Sequence, residues 1–160
     1  MRVALYPGSF DPITTGHVDI IHRALEIFDQ VEVGVATNIR KTSTFSGDER
    51  ISMIRETFKD EPRVIVTSFS GLLVDYAVDR GIKTVIRGLR AVSDFEYEFQ
   101  MASMNRHLTD QVDFMFLMTS EEHFFVSSSL VREVAVNGGD VSRFVPGPVQ
   151  EHLRNRLKAD

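Results

Sequence analysis

Residues 3–36 read VALYPGSFDPITTGHVDIIHRALEIFDQVEVGVA. A short β-branched run, Val3 to Tyr6, stops at Pro7 and Gly8, and a second run spans Val31 to Ala36. Between them Val18, Ile21, Leu25 and Phe28 recur at the spacing of one helix face. Strand, loop, helix and strand at this spacing call for two parallel strands joined by a helical crossover.

The same alternation continues along the chain. Val64 to Ser68, Thr84 to Ile86 and Val112 to Met118 are predicted as further buried strands. Ile51, Ile54 and Phe58 mark one helix, and Leu72, Leu73, Tyr76 and Ala77 a second. Phe95, Phe99 and Ala102 mark a third. Gly81 and Gly138-Gly139 are placed to close helices, and residues 146–157 suit a last one. The pattern predicts one α/β domain over residues 1–160. It is a Rossmann-like, doubly wound, parallel five-stranded sheet with helices on both faces.

Composition narrows the function. At 160 residues and 42% hydrophobic, the chain can bury a core without cross-links. It has no Cys, which excludes disulfides, thiolate nucleophiles and Cys-based metal sites and suits the cytoplasm. The apolar run before Pro7 is too short for a signal-peptide core or a membrane span, which argues against secretion and a membrane partner. A net charge of -5 argues against a nucleic-acid partner while leaving room for a local cationic pocket. The five His residues show no metal-ligand spacing, so no protein-bound transition metal is expected.

Ligands of such sheets bind beyond the carboxyl ends of the strands. There the first loop runs Tyr6-Pro7-Gly8-Ser9-Phe10-Asp11-Pro12 and then Thr14-Thr15-Gly16-His17 into a helix, whose free N–H groups and dipole attract a phosphate. His17 would face that phosphate and donate a hydrogen bond without taking a proton, although Thr14 or Thr15 as a cap would also explain the sequence. Arg87-Gly88-Leu89-Arg90 is placed after the fourth strand, where paired guanidinium groups suit a triphosphate or a phosphorylated acceptor; ion pairs with Asp94 or Glu96 are the alternative. Ser127, Ser128 and Ser129 open another helix, as caps or as a second anion site. Lys41 sits in the loop after the second strand, where a solvated surface lysine is the ordinary explanation.

Taken together, Thr14-x-Gly16-His17, Arg87-Gly88-Leu89-Arg90 and Val126-Ser127-Ser128-Ser129-x-x-Arg132 resemble the nucleotidyltransferase superfamily with its T/H-x-G-H signature. More narrowly, the chain resembles the bacterial phosphopantetheine adenylyltransferase family, through these motifs and Met104-Asn105-Arg106-His107-Leu108. The resemblance implies transfer of the adenylyl group of ATP to 4'-phosphopantetheine, giving 3'-dephospho-coenzyme A and pyrophosphate, with Mg2+. It assigns ATP to Ser9, Phe10, His17, Gly88, Leu89, Arg90, Glu98 and the segment His123, Phe124, Phe125, Val126, Ser127, Ser128 and Ser129. Phosphopantetheine falls to Ser9, Lys41, Leu73 and Arg87. His17 would stabilise the transition state, with Lys41 and Arg90 beside it. A homohexamer and feedback inhibition by coenzyme A are implied in the same way. Ser9 stands where the family also has threonine, and His123 where another aromatic can stand. The rivals are a nicotinamide mononucleotide adenylyltransferase and a nucleotide-binding module without turnover.

Overall fold

The computed structural model describes residues 1–37 and 42–157. Five parallel strands form one sheet: β1 (Val3–Gly8), β2 (Gln30–Ala36), β3 (Val64–Phe69), β4 (Thr84–Leu89) and β5 (Asp113–Met118). Their spatial order is β3-β2-β1-β4-β5. The helices are α1 (Thr15–Leu25), α2 (Gly47–Thr57), α3 (Leu73–Asp79), α4 (Val92–Leu108), α5 (Ser128–Val136) and α6 (Gly147–Leu157). The alternation and the doubly wound sheet follow the sequence pattern.

Val31, Val33 and Val35 of β2 are wholly buried because β2 lies inside the sheet with helices over it. On one face Ile20, Ile21 and Ala24 of α1, Met53 and Ile54 of α2, Val131 of α5, and Val149 and Leu153 of α6 share one apolar cluster. On the other face Ala77 of α3 packs with Leu5, Val85 and Val112. Gly81 and Gly138 adopt φ of +67° and +77° just past α3 and α5, the left-handed geometry expected of helix closers.

Two strand boundaries differ from the sequence pattern by more than one residue, and both shape the site. β1 runs on through Pro7 and Gly8, paired with β2 as far as Gly8 and Val35. β4 runs on through Leu89, because Arg87, Gly88 and Leu89 pair with Phe116, Leu117 and Met118 of β5. Only Arg90 therefore follows the strand. Between β1 and β4 the pairing is confined to Ala4 with Thr84 and Leu5 with Val85. Beyond that point each strand stays with its outer neighbour, and a crevice opens between them. The crevice coincides with the reversal of strand order, where open α/β sheets bind ligands.

The α4 pattern also resolves differently. Phe95 and Phe99 were placed on one helix face, and they stack with ring centroids 5.7 Å apart. They nevertheless remain 44% and 56% exposed. Met101, Met104 and Leu108 on the same helix are exposed as well.

Candidate active site

The crevice leads into a cavity of about 390 Å³ bounded by the first loop, the start of α1, the end of β4, the first turns of α4 and the start of α5. Its floor is shaped by Phe10, a non-glycine residue at φ +46°. That conformation is costly for an L-residue and persists where the surroundings over-determine it. Here the reward is burial: the ring is 2% exposed, edge-on to Tyr6 with centroids 5.5 Å apart, and 5.0 Å from the His17 ring. The ring lies directly over Gly8, where an added Cβ would come within 2.9 Å of two of its atoms. Gly8→Ala is therefore expected to cost about 1–3 kcal/mol by forcing Phe10 off its seat, read as a lowered thermal midpoint.

His17 occupies the third position of α1 and completes a capping box with Thr14. The Thr14 backbone N–H donates to His17 Nδ1 at 3.0 Å, while Thr14 Oγ1 accepts from the His17 N–H at 3.4 Å. The cap and the catalytic candidate are thus one arrangement, not alternatives. A backbone N–H can only donate, so Nδ1 presents its lone pair and the ring proton resides on Nε2. Burial, with help from Arg90 and Arg87, lowers the ring's pKa to about 4, so His17 is a neutral donor at neutral pH.

Because this value lies below the unfolded one near 6.5, the unfolded chain takes up its proton first as pH falls. The stabilisation is full above about pH 6.5 and is lost on the way down to pH 4, by on the order of 3 kcal/mol. Thermal midpoints at pH 7 and pH 5 check this: the drop between them should be smaller in His17→Gln than in the unaltered protein.

The arginines are held by acidic partners. Arg87 Nε and Nη2 donate to the two Glu98 carboxylate oxygens at 2.7 and 2.5 Å, and Nη1 donates to the Pro7 carbonyl at 2.9 Å. Arg87 therefore bridges β1 and α4 across the crevice. Burial opposes its charge, but Glu98 outweighs that and raises the guanidinium pKa above its ordinary value. Arg90 Nε donates to Asp94 Oδ2 at 3.0 Å, and its Nη1 reaches the Val126 carbonyl at 3.3 Å. The ion-pair alternative holds for Asp94, and both arginines nonetheless line the cavity.

At the far wall, Ser127 is the N-cap of α5 and accepts from the Leu130 N–H at 3.2 Å. Ser128 Oγ donates to the Pro12 carbonyl at 2.7 Å, tying α5 to the first loop. Ser129 Oγ lies 3.2 Å from Ser127 Oγ. The Thr15 N–H donates to the Phe144 carbonyl at 2.9 Å, and the caps take the His17 and Leu130 N–H groups. This leaves the N–H groups of Gly16 in α1 and of Ser128 and Ser129 in α5 without an acceptor among the described residues, where the two helix starts meet at one cavity.

Buried charges behind the site fix its loops. Asp11, 7% exposed, accepts from the N–H groups of Thr44 and Phe45 at 2.9 Å each. Arg132 donates to the Asp11 carbonyl, and its guanidinium lies 3.7 Å from the Asp11 carboxylate. Arg50, 5% exposed, donates to the carbonyls of Ser9 at 2.6 Å and Ala36 at 3.2 Å. The carboxylates of Asp11, Asp94 and Glu98 all have protein partners. No cluster of three or more metal-ligating side chains occurs among the described residues.

Of the residues singled out from the sequence, Ser9, Phe10, His17, Arg87, Gly88, Arg90, Glu98, Val126, Ser127, Ser128 and Ser129 line this cavity. Leu73, Leu89, His123, Phe124 and Phe125 do not. Leu73 opens α3 and packs on the opposite face of the sheet, and Leu89 ends β4. His123 Nδ1 lies 3.5 Å from Thr15 Oγ1, and Phe125 packs edge-on to Phe144. Lys41 lies outside the described residues. Tyr6, Asp94 and Arg132 line the cavity without having been assigned to it. For Arg132 a signal existed: it stands four residues after Ser128, on the same helix face.

Residues 5–134 match the model of the cytidylyltransferase-like family. The chain is 56% identical over 156 residues to the phosphopantetheine adenylyltransferase of Anaeromyxobacter dehalogenans strain 2CP-C, covering 98% of this chain and 95% of that one. It is 55% identical to that of Alkaliphilus metalliredigens (98% and 99% covered) and 49% identical to that of Thiobacillus denitrificans (99% of both). A solved Vibrio parahaemolyticus structure, provisionally assigned as a nicotinate-nucleotide adenylyltransferase, superposes with a TM-score of 0.69 over 97% of this chain and 93% of that one. At 20% identity it speaks for the fold alone. With the family model spanning most of its length and relatives of this identity matching nearly end to end, the chain belongs to the cytidylyltransferase-like family and, within it, to the phosphopantetheine adenylyltransferases.

Proposed function

We propose that the protein transfers the adenylyl group of ATP to 4'-phosphopantetheine, forming 3'-dephospho-coenzyme A and pyrophosphate. The observation that carries this reading is His17. A neutral imidazole, its tautomer fixed by the Thr14 N–H, offers Nε2–H to a cavity where two helix starts and two arginines favour phosphate. The relatives' names supply the acceptor.

The acceptor phosphate is already a nucleophile. One of its oxygens bonds to the α-phosphorus of ATP as the bond from that phosphorus to the α–β bridging oxygen breaks, and the electron pair departs with pyrophosphate. No proton need move and no covalent enzyme intermediate is required. His17 Nε2–H donates to an α-phosphate oxygen as charge builds there. Arg90, the α5 amides and the Ser129 hydroxyl offset the charge of the β- and γ-phosphates, while the Ser128 hydroxyl stays on the Pro12 carbonyl. Lys41 and Arg87 hold the acceptor phosphate, with Arg87 using the N–H groups on Nη1 and Nη2 that Glu98 and Pro7 leave free. Positioning and electrostatics supply the rate. Magnesium belongs to the substrate, MgATP, since the cavity's carboxylates are committed to arginines.

We further propose that the protein is a cytoplasmic homohexamer inhibited by coenzyme A. The lack of Cys and the exposed apolar residues of α4 favour the first two, and inhibition rests on family likeness. Among the described residues no helix is long and apolar enough to cross a membrane. Sedimentation measures the assembly. Pyrophosphate release from MgATP, assayed with 4'-phosphopantetheine, with nicotinamide mononucleotide and with no acceptor, tests the reaction. Release with phosphopantetheine alone is expected, and release only with the mononucleotide would reassign the acceptor.

A further inference from the structure

β1 carries one polar group into the crevice that the reaction above leaves unused. Tyr6 is 5% exposed, with its ring edge-on to Phe10 and its centroid 6.3 Å from that of His17. Across the gap stands Gly88 of β4, where an added Cβ would lie 3.4 Å from the Tyr6 hydroxyl and 3.3 Å from Ile20 of α1. The hydroxyl therefore sits at the floor of the crevice, on the face of the sheet that α1 covers.

Among the described residues, the Tyr6 hydroxyl has no hydrogen-bond partner. Every side-chain oxygen or nitrogen of those residues that is sealed from solvent has one. The Tyr6 oxygen is thus not sealed, and the opening it faces is the cavity that Tyr6 lines. None of its neighbours there bonds it: His17 Nδ1 is held by Thr14, Arg87 reaches Glu98 and Pro7, Arg90 reaches Asp94, and Ser128 reaches Pro12. A buried hydroxyl that no neighbouring group bonds calls for a partner from inside the cavity.

The charges around it identify that partner. Burial raises the phenol pKa above its ordinary value despite the nearby guanidinium groups of Arg87 and Arg90, so Tyr6 keeps its proton and acts as a donor. Two cations and a fixed donor in one crevice suit a phosphoryl oxygen. Proximity to the His17 ring selects the phosphoryl group that His17 serves.

We propose that the Tyr6 hydroxyl donates a hydrogen bond to the α-phosphate of ATP during transfer, so that Tyr6 and His17 form a pair of donors on the phosphorus under attack. This assignment rests on the adenylyl-transfer reading and deepens it. Tyr6→Phe removes the hydroxyl and keeps the ring that packs on Phe10. In steady-state assays with MgATP and phosphopantetheine, kcat should fall about 10–100-fold while both KM values change less than about threefold. The thermal midpoint should stay within about 2 °C, since no protein partner is lost. In a His17→Ala background the same change should cost less than it does alone, because the two donors share one group.

A kcat within about twofold of the unaltered protein would overturn the assignment, and so would a drop in thermal midpoint with kcat intact. A rise confined to the acceptor KM would move the hydroxyl to the acceptor phosphate and equally remove it from the α-phosphate. Absence of turnover by the unaltered protein would instead defeat the underlying reaction, an outcome distinct from equal rates in the two proteins.

Discussion

His17→Ala is expected to lower kcat by about 10²–10³-fold while the KM for ATP changes only a few-fold, the size seen when one pre-organised donor to a developing oxyanion is removed. The imidazole is held at both ends: Nδ1 by the Thr14 N–H, and the ring by Phe10 at 5.0 Å. Its Nε2–H is oriented before substrate arrives, so its contribution is greatest where charge appears at phosphorus. Alanine also takes away half of the capping box, which by itself costs stability. His17→Gln separates the two roles. Glutamine at this helix position can accept from the cap N–H, so the thermal midpoint should recover while kcat stays low. Equal losses in kcat and in ATP affinity for the alanine variant would mean that His17 binds the nucleotide without favouring transfer.

Phe10→Ala is expected to destabilise the protein by about 3–5 kcal/mol, a fall of roughly 10 °C in thermal midpoint for a chain of this size. The ring is almost wholly buried and fills the space between Gly8, Tyr6 and His17, which no neighbour can reoccupy without moving the first loop. Phe10→Gly should be no less stable than Phe10→Ala, against the usual order. At φ +46° glycine sheds a strain of about 1–2 kcal/mol that alanine keeps, which offsets its larger loss of chain entropy. Both variants should lower kcat, because His17 loses the surface it rests on. Thermal melts and turnover of the pair decide this, and a glycine variant clearly less stable than the alanine one would show that the backbone at Phe10 relaxes on truncation.

The order of strands and helices was legible in the sequence because each strand contains a short apolar run and the helices between them carry apolar residues at helix-face spacing, although on α4 those residues stay exposed. The loop from Gly8 to His17 was legible as a cavity wall, since it stands between a strand and a helix at the carboxyl end of the sheet. What remained hidden depends on pairing partners. Arg87 and Gly88 look like loop residues, yet β5 supplies the hydrogen bonds that keep them in β4. The parting of β1 from β4 after two residue pairs leaves no mark on either strand alone. The Thr14–His17 box escaped the usual pattern because histidine stands where Glu or Gln is ordinary. Arg87 and Glu98 were each assigned to a ligand, and only the fold shows that they hold one another, eleven residues apart in sequence. Tyr6 reads as one more apolar strand residue until Gly88 is placed opposite its hydroxyl.

The most direct test of adenylyl transfer to phosphopantetheine is to incubate the purified protein with MgATP and 4'-phosphopantetheine and quantify both products, the nucleotide by mass spectrometry and pyrophosphate enzymatically. We expect 3'-dephospho-coenzyme A and pyrophosphate in equal amounts, with neither formed when the acceptor is omitted. Pyrophosphate without 3'-dephospho-coenzyme A, or neither product in the complete mixture, would refute the assignment of this chain's reaction.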